Sequence, residues 1–171
     1  AGPFDRMVLA VAPYHLGALR PELASAVAHL EWEPIVTSYF SYPATVRLPQ
    51  PMLGVDGGLA QWLFDRGLLC DQHGLIAAVI SARGRHLDLP TEALEQAIHA
   101  EIARIVPGLP LPLKVQTITE KRATFACTPG LQRPPMAVAP GLVACGDYIA
   151  GPYPATLEGA VRSGRDAGNL P

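Results

Sequence analysis

Leu142-Val143-Ala144-Cys145-Gly146-Asp147-Tyr148, continued after a short loop by Pro154-Ala155-Thr156-Leu157-Glu158-Gly159-Ala160-Val161-Arg162-Ser163-Gly164, is the stretch that decides the fold. Its four leading apolar residues suit a short strand, and a helix is expected from Ala155 to about Ala167. Glycine at the strand end lets a ligand approach the backbone closely. Asp147 beside it offers an acceptor for ligand hydroxyls. Pro154 suits a helix start, and the free N–H groups of a first turn, with the helix dipole, favour negative charge on whatever lies in front. Ala160, Gly164, Ala167 and Gly168 give that helix a face of small residues for close packing. Taken from the residues alone, the pattern fits a ligand-binding corner and equally a strand–loop–helix with no ligand.

Upstream, the chain reads as two kinds of texture. Met7–Ala12 is a continuous apolar run closed by Pro13, which suits a strand buried on both faces. A helical stretch is expected at Pro21–Leu30. From Pro34 to Ser81 strands dominate: Ile35–Tyr42, rich in β-branched and aromatic residues, then Met52–Val55 and Ala60–Asp65 around a turn at Asp56-Gly57-Gly58, then Leu75–Ser81. Thr91–Val106 is the clearest helix, with Leu94, Ile98, Ile102 and Ile105 in one stripe. Its other side, Glu92, Glu95, Gln96, Glu101 and Arg104, reads as a solvated face. Lys114–Phe125 alternates as a long strand, with Val115, Thr117 and Thr119 on one face and Gln116, Ile118 and Glu120 on the other. Proline-rich connections, Pro107–Pro112 and Arg133–Pro140, flank it. No repeat or low-complexity tract interrupts this order.

Composition narrows the function classes. Of 171 residues, 49% are hydrophobic and 16% charged, so disorder is excluded by the lack of charge and the wealth of apolar side chains. A mean hydropathy of +0.21 suggests faces that rest against another domain, a subunit or a lipid. A net charge of -2, without a Lys/Arg cluster, supplies no field for nucleic acid. Cys70, Cys127 and Cys145 are odd in number, widely spaced and free of any CxxC pair, the pattern of reduced thiols in a cytoplasmic protein. The histidines (15, 29, 73, 86 and 99) show no local metal-ligand spacing, so no metal is expected. No apolar run reaches the roughly 20 residues that span a bilayer, and no signal peptide is recognised. The expected location is the cytoplasm, including the periphery of the inner membrane.

The closing stretch, Gly146-Asp147-Tyr148 with Gly151-Pro152-Tyr153-Pro154-Ala155-Thr156-Leu157-Glu158-Gly159-Ala160-Val161-Arg162-Ser163-Gly164, closely resembles the C-terminal flavin motif of the amine oxidase and phytoene desaturase flavoprotein superfamily. The resemblance implies FAD as cofactor. It implies that Gly146 and Asp147 meet the ribityl or phosphate part, and that Ala155, Thr156 and Leu157 at the helix start face the isoalloxazine ring. Three further stretches resemble the squalene-associated FAD-dependent branch, the hydroxysqualene dehydroxylases. They are Pro51–Gly54 with Asp56-Gly57-Gly58, Gln61–Gly67, and Glu120–Ala126 with Pro129-Gly130. That branch implies a long isoprenoid lipid substrate and removal of the hydroxyl of hydroxysqualene by reduced flavin, giving squalene for hopanoid or sterol-like lipids.

One departure stands out. The superfamily opens with a GxGxxG fingerprint, and Gly54-Val55-Asp56-Gly57-Gly58 has the wrong spacing for it. The chain is therefore expected to be the C-terminal portion of a longer protein, with the pyrophosphate and adenine sites in a missing N-terminal FAD domain and the FAD site incomplete here. The expected fold is α+β: a mixed sheet with the Thr91–Val106 helix on one side (residues 31–135, the substrate-binding portion), plus pieces of a Rossmann-type FAD domain. Those pieces are residues 1–30, a returning segment, and 136–171, the flavin-contacting strand, turn and helix.

Candidates for the substrate side are Asp65, Arg66, Arg122, Tyr148 and Tyr153. Asp65 and Arg66 follow an apolar strand and read either as pocket residues or as a turn or ion pair. Arg122, with Glu120 and Lys121, would assist a hydroxyl that leaves with a proton, or simply pair across strands. Tyr148 and Tyr153 line a pocket, give a proton, or pack. No catalytic acid or base stands out, as expected where the flavin carries the chemistry. Two other classes remain open: a phytoene-type desaturase or amine oxidase, and a non-catalytic module that associates into a homo-oligomer.

Overall fold

The computed structural model describes residues 4–170. Its strands are β1 (Met7–Leu9), β2 (Trp32–Ser41), β3 (Met52–Gly54), β4 (Trp62–Asp65), β5 (Leu75–Ser81), β6 (Lys114–Phe125), β7 (Ala137–Ala139) and β8 (Leu142–Ala144). Its α-helices are α1 (Pro13–Leu19), α2 (Ala24–Val27), α3 (Arg66–Cys70), α4 (Thr91–Ile105) and α5 (Leu157–Gly168). The chain forms two units: a central one, Glu33–Ala123, and a terminal one built from Ala1–Trp32 and Thr124–Pro171.

The central unit is a five-stranded sheet in the order β3-β4-β5-β2-β6, covered on one face by α4. Alternation along each strand decides which residues meet the helix. On β2, Val36, Ser38 and Phe40 are buried while Ile35, Thr37 and Tyr39 are half-buried. The antiparallel register Val36↔Ile80, Ser38↔Ala78 and Phe40↔Ile76 stacks the buried set of both strands on one side. Leu94, Ile98 and Ile102 of α4 close that side, forming one core with Leu63 of β4. The helix stripe is therefore as the spacing predicts, with Ile105 at its rim.

Glu101 departs from its expected solvated face. It is only 6% exposed, and its carboxylate accepts N–H bonds from Leu59 (2.6 Å) and Ala60 (3.0 Å). The hairpin between β3 and β4 turns through Gly57 at φ +70° and leaves these two amides without strand partners. A carboxylate on the last turns of α4 supplies them. Gly58 lies so close that a Cβ there would stand 2.8 Å from Glu101 Oε2. Helical periodicity marks Glu101 as outward, but a loop folds over it. Nearer the start of α4, the Thr117 hydroxyl donates to Glu95 Oε1 (2.7 Å) and is bonded to Ser38 (2.9 Å), which ties β2, β6 and α4 together.

In the terminal unit β8 sits between β1, to which it is parallel, and β7, to which it is antiparallel. Met7 and Val8 are exposed and only Leu9 is buried, so β1 is an edge strand here rather than one buried on both faces. The expected helix at Pro21–Leu30 is broken into a 3-10 turn (Pro21–Leu23) and α2. Pro13, expected to close the first strand, opens α1 instead, where its missing N–H costs nothing. Leu16, Val27, Leu30, Phe125, Leu142, Tyr148 and Ile149 form this unit's core. Among the described residues no helix is long and apolar enough to cross a membrane.

Glu101→Ala leaves two amides without their acceptor, which should destabilise the central unit by about 3 kcal/mol. Glu101→Gln keeps one acceptor oxygen and should lose less. Urea unfolding followed by tryptophan fluorescence gives the ranking.

Candidate functional site

The site grows from the end of β8. Gly146 has φ +154°, and a Cβ on it would overlap the ring of Tyr148. Its N–H donates to Ser163 Oγ of α5 (3.1 Å), which locks strand end to helix. Asp147 is half-buried, with the backbone N–H groups of Asp147 and Tyr148 near its carboxylate. Burial pushes its pKa up, while those two N–H groups and the Arg133 guanidinium oppose the rise. The carboxylate is thus half-buried and keeps acceptor capacity for a ligand hydroxyl.

The loop from Ala150 to Thr156 then climbs to the helix by a strained path. Tyr153 (φ +57°) and Ala155 (φ +54°) are both left-handed without being glycine, a conformation that costs about 1 kcal/mol or more for each. This postpones the helix. Pro154 does not sit in the first turn; Thr156 is the N-cap and Leu157 the first helical residue. The Thr156 hydroxyl donates to Tyr153 O (2.7 Å) and accepts the N–H of Gly159 (3.0 Å). A Cβ at Gly159 would run into that same Tyr153 carbonyl. The Gly159 amide is thus capped, whereas the amides of Leu157 and Glu158 meet no acceptor among the described residues. Leu157 is 88% exposed, so these two donors are accessible.

These features suit a flavin. Asp147 matches a ribityl hydroxyl, and the two open amides at a helix start match an electron-rich ring edge. The bare backbone of Gly151, beside which a Cβ would meet nothing within 4 Å, leaves room for a planar group.

The other sequence candidates divide. Asp65 is 1% exposed, with Oδ2 accepting Leu48 N–H (2.8 Å) and Oδ1 accepting Leu68 N–H (3.0 Å) as the N-cap of α3. Its oxygens serve the backbone, so it is a structural cap and not a pocket residue. Arg66 is half-buried and donates from Nε to Gln72 (3.0 Å). Tyr148 is also 1% exposed; it packs in the core of the terminal unit, where it borders a small apolar cavity with Leu16, Val27 and Ile149, and burial pushes its pKa up to about 12. Tyr153 is 50% exposed, with the Arg162 guanidinium 4.8 Å from its ring centre and Arg162 paired to Glu158 (2.6 Å). Arg122 is exposed on β6, on the strand face shared by Gln116 and Ile118.

Two features escape a reading of the sequence. One is Arg133, whose guanidinium donates to Ile149 O (2.7 Å), Asp147 O (3.4 Å) and Gly151 O; it hides in a proline-rich connection that carries no pattern of its own. The other is the sheet face away from α4. The register pairs Met52 with Phe64, Trp62 with Val79, and Phe64 with Ala77 opposite Tyr39, which puts large apolar groups side by side on an open surface. Trp62 (43%) and Met52 (51%) are among the exposed residues.

Comparison with known proteins follows this geometry. The model of the family described as flavin containing amine oxidoreductase matches residues 1–169. The chain belongs to that family. Among curated relatives, a hydroxysqualene dehydroxylase of Rhodopseudomonas palustris is 36% identical over 173 residues, which cover 99% of this chain and 39% of that protein. One from Sinorhizobium fredii is 33% identical over 174 residues, with the same coverage. The chain thus spans about two-fifths of the length of the curated relatives it matches. Solved structures show the fold of this amine oxidoreductase chain. An oxidoreductase from Methanosarcina mazei superposes with a TM-score of 0.58 at 13% identity, over 90% of this chain and 38% of that one. A putrescine oxidase bound to putrescine gives 0.59 at 17%, over 96% and 42%.

Gly159→Ala is expected to push the Tyr153 carbonyl off the first turn and unfold the start of α5. Thr156→Ala should cost about 1 kcal/mol through loss of the cap, and thermal melts will order the two. Asp147 gives a pH signature. Its folded pKa lies above its unfolded value, so the stability linked to its proton is complete below the unfolded pKa and is lost as pH rises through the folded one. Asp147→Asn should therefore melt above the parent at neutral pH, with the gain vanishing in acid; an equal gain at both pH values would contradict the burial argument.

Proposed function

We propose that this chain is the flavin-ring side and substrate sheet of an FAD-dependent oxidoreductase that converts hydroxysqualene to squalene. The observation that carries the reading is its likeness to hydroxysqualene dehydroxylases along 99% of its length at 36% identity. The open face of the central sheet supports the substrate class. Tyr39, Phe64, Trp62 and Val79 offer area and few hydrogen-bonding groups, which suits a long hydrocarbon bound by apolar burial at about 25 cal/mol per Å². Such a lipid partitions into membranes, so the protein is proposed to meet it at a membrane surface.

When bound, FAD in its reduced form supplies the hydride equivalent that replaces the hydroxyl, so that alcohol and reduced flavin yield hydrocarbon, water and oxidised flavin. Asp147, half-buried at the end of β8, would hold a ribityl hydroxyl. Gly146 and Ala155 would keep the approach clear of side-chain bulk, Thr156 fixes the first turn, and the amides of Leu157 and Glu158 would be available to the ring's electron-rich edge. The pyrophosphate and adenosine are proposed to be held by the part of the relatives that lies outside the match. The departing hydroxyl needs a proton to leave as water. Tyr153, with an exposed phenol on the same loop, is the proposed donor. Arg122 and Arg66 are the proposed cations of the substrate unit.

The test is an anaerobic incubation of the full-length protein with reduced flavin and hydroxysqualene, with products read by mass spectrometry. Squalene is expected; no squalene, or oxidation of a polyene or amine instead, would sink the reading. Tyr153→Phe should lower kcat about a hundredfold with little change in flavin content. Asp147→Ala should instead lower flavin occupancy.

A further inference from the structure

We infer that Arg133 is a positioning residue: it holds the loop 147–151 in the one shape that presents Asp147 and the start of α5 to a flavin. The inference rests on the flavin reading above. Three carbonyls at alternate positions of one loop, those of Asp147, Ile149 and Gly151, converge on a single guanidinium. The next residue adds a fourth tie, since Ala150 N–H donates to Pro134 O (2.9 Å). Residues 133 and 134 thus brace the loop from behind with a donor set and an acceptor.

The loop needs a brace. It runs from Gly146 at φ +154° through Gly151 at φ +155° to Tyr153 at φ +57°, with none of the regular ladder that holds a strand or helix. Backbone of this kind persists only where its surroundings over-determine it. A guanidinium is the suitable group, because its planar fork carries five donors and reaches several carbonyls at once. Lysine carries the same charge as a compact ammonium and cannot reproduce that spread. The cation also acts on the site by charge, opposing the rise that burial imposes on the Asp147 pKa. Arg133 touches neither cofactor nor substrate in this role; it works through the carbonyls.

The experiment uses the full-length protein with and without FAD, comparing Arg133→Ala, Arg133→Lys and, as a control for general loss of stability, Ile98→Ala in the core of the central unit. Two quantities are read: the Kd for FAD by quenching of flavin fluorescence, and hydrogen exchange at the amides of residues 148–151 in the FAD-free protein. Arg133→Ala should raise the Kd about tenfold or more through lost pre-organisation and speed exchange across 148–151. Arg133→Lys should fall between it and the parent, and it carries the same reading if the alanine variant does not fold. Ile98→Ala should leave both quantities near the parent values. Unchanged exchange and affinity in the Arg133 variants, or equal changes in Ile98→Ala, would overturn the inference. A parent protein that takes up no FAD, while Arg133→Ala still loosens the loop, would overturn the flavin reading and the positioning role toward flavin with it.

Discussion

The carbonyl oxygen of Tyr153 occupies the space that a side chain on Gly159 would need, and the shape of the corner between β8 and α5 follows from that contact. Because the chain passes so close to the first turn of α5, the Thr156 hydroxyl can bridge carbonyl and helix amide together. Because Thr156 takes the amide of Gly159, those of Leu157 and Glu158 are left open. The strained angles at Tyr153 and Ala155 are the cost of this path. Ser163 on the same helix secures the other side of the corner by accepting from Gly146. Small residues along α5 thus do two jobs, admitting a passing backbone at one point and a neighbouring strand at another.

The two units solve a shared problem differently. In the central unit a long amphipathic helix closes one face of a sheet, and the ties between them are apolar contacts supplemented by Glu95 and Glu101. The terminal unit has only short strands and short helices apart from α5, and its irregular segments are fastened by side chains reaching backbone atoms. His29, for example, bonds the carbonyl of Gln132 (2.7 Å), one residue before the arginine that gathers the closing loop. Burial holds the first unit; polar fastening shapes the second.

Much of this was legible in the sequence where a regular period ran long enough. Leu75–Ser81 and Lys114–Phe125 appear with the expected bounds, and α4 ends within one residue of its expected end. The α+β class followed from the same signals, whereas the flavin reading of the Gly146-Asp147 corner came from its resemblance to a family motif. Local periodicity could not report what distant segments do. Glu101 lies on the polar side of its helix yet is covered by a loop some forty positions earlier. Asp65 at a strand end read as a pocket residue or as part of a turn or ion pair, and its partners are the amides of a neighbouring loop and of its own helix start. Tyr148 follows Asp147 into the loop, but its ring turns back into the core. The helix start was misplaced by two residues because Pro154 is a strong signal and a left-handed alanine is not visible in sequence. Arg133 carried no signal, since convergence of three carbonyls exists only after folding.

The parity of β2 and β5 has a consequence for how such a protein can change over generations. Val36, Phe40, Ile76 and Ile80 are matched to the surface of α4, so their alteration is felt by the whole central unit. Their immediate neighbours, Thr37, Tyr39 and Val79, face the other way and are answerable to little except what the open face must accommodate. One strand thus carries two interleaved sets of positions with separate packing duties. Changes in the odd-numbered set of β2 alter the open surface while the even-numbered set keeps the scaffold standing.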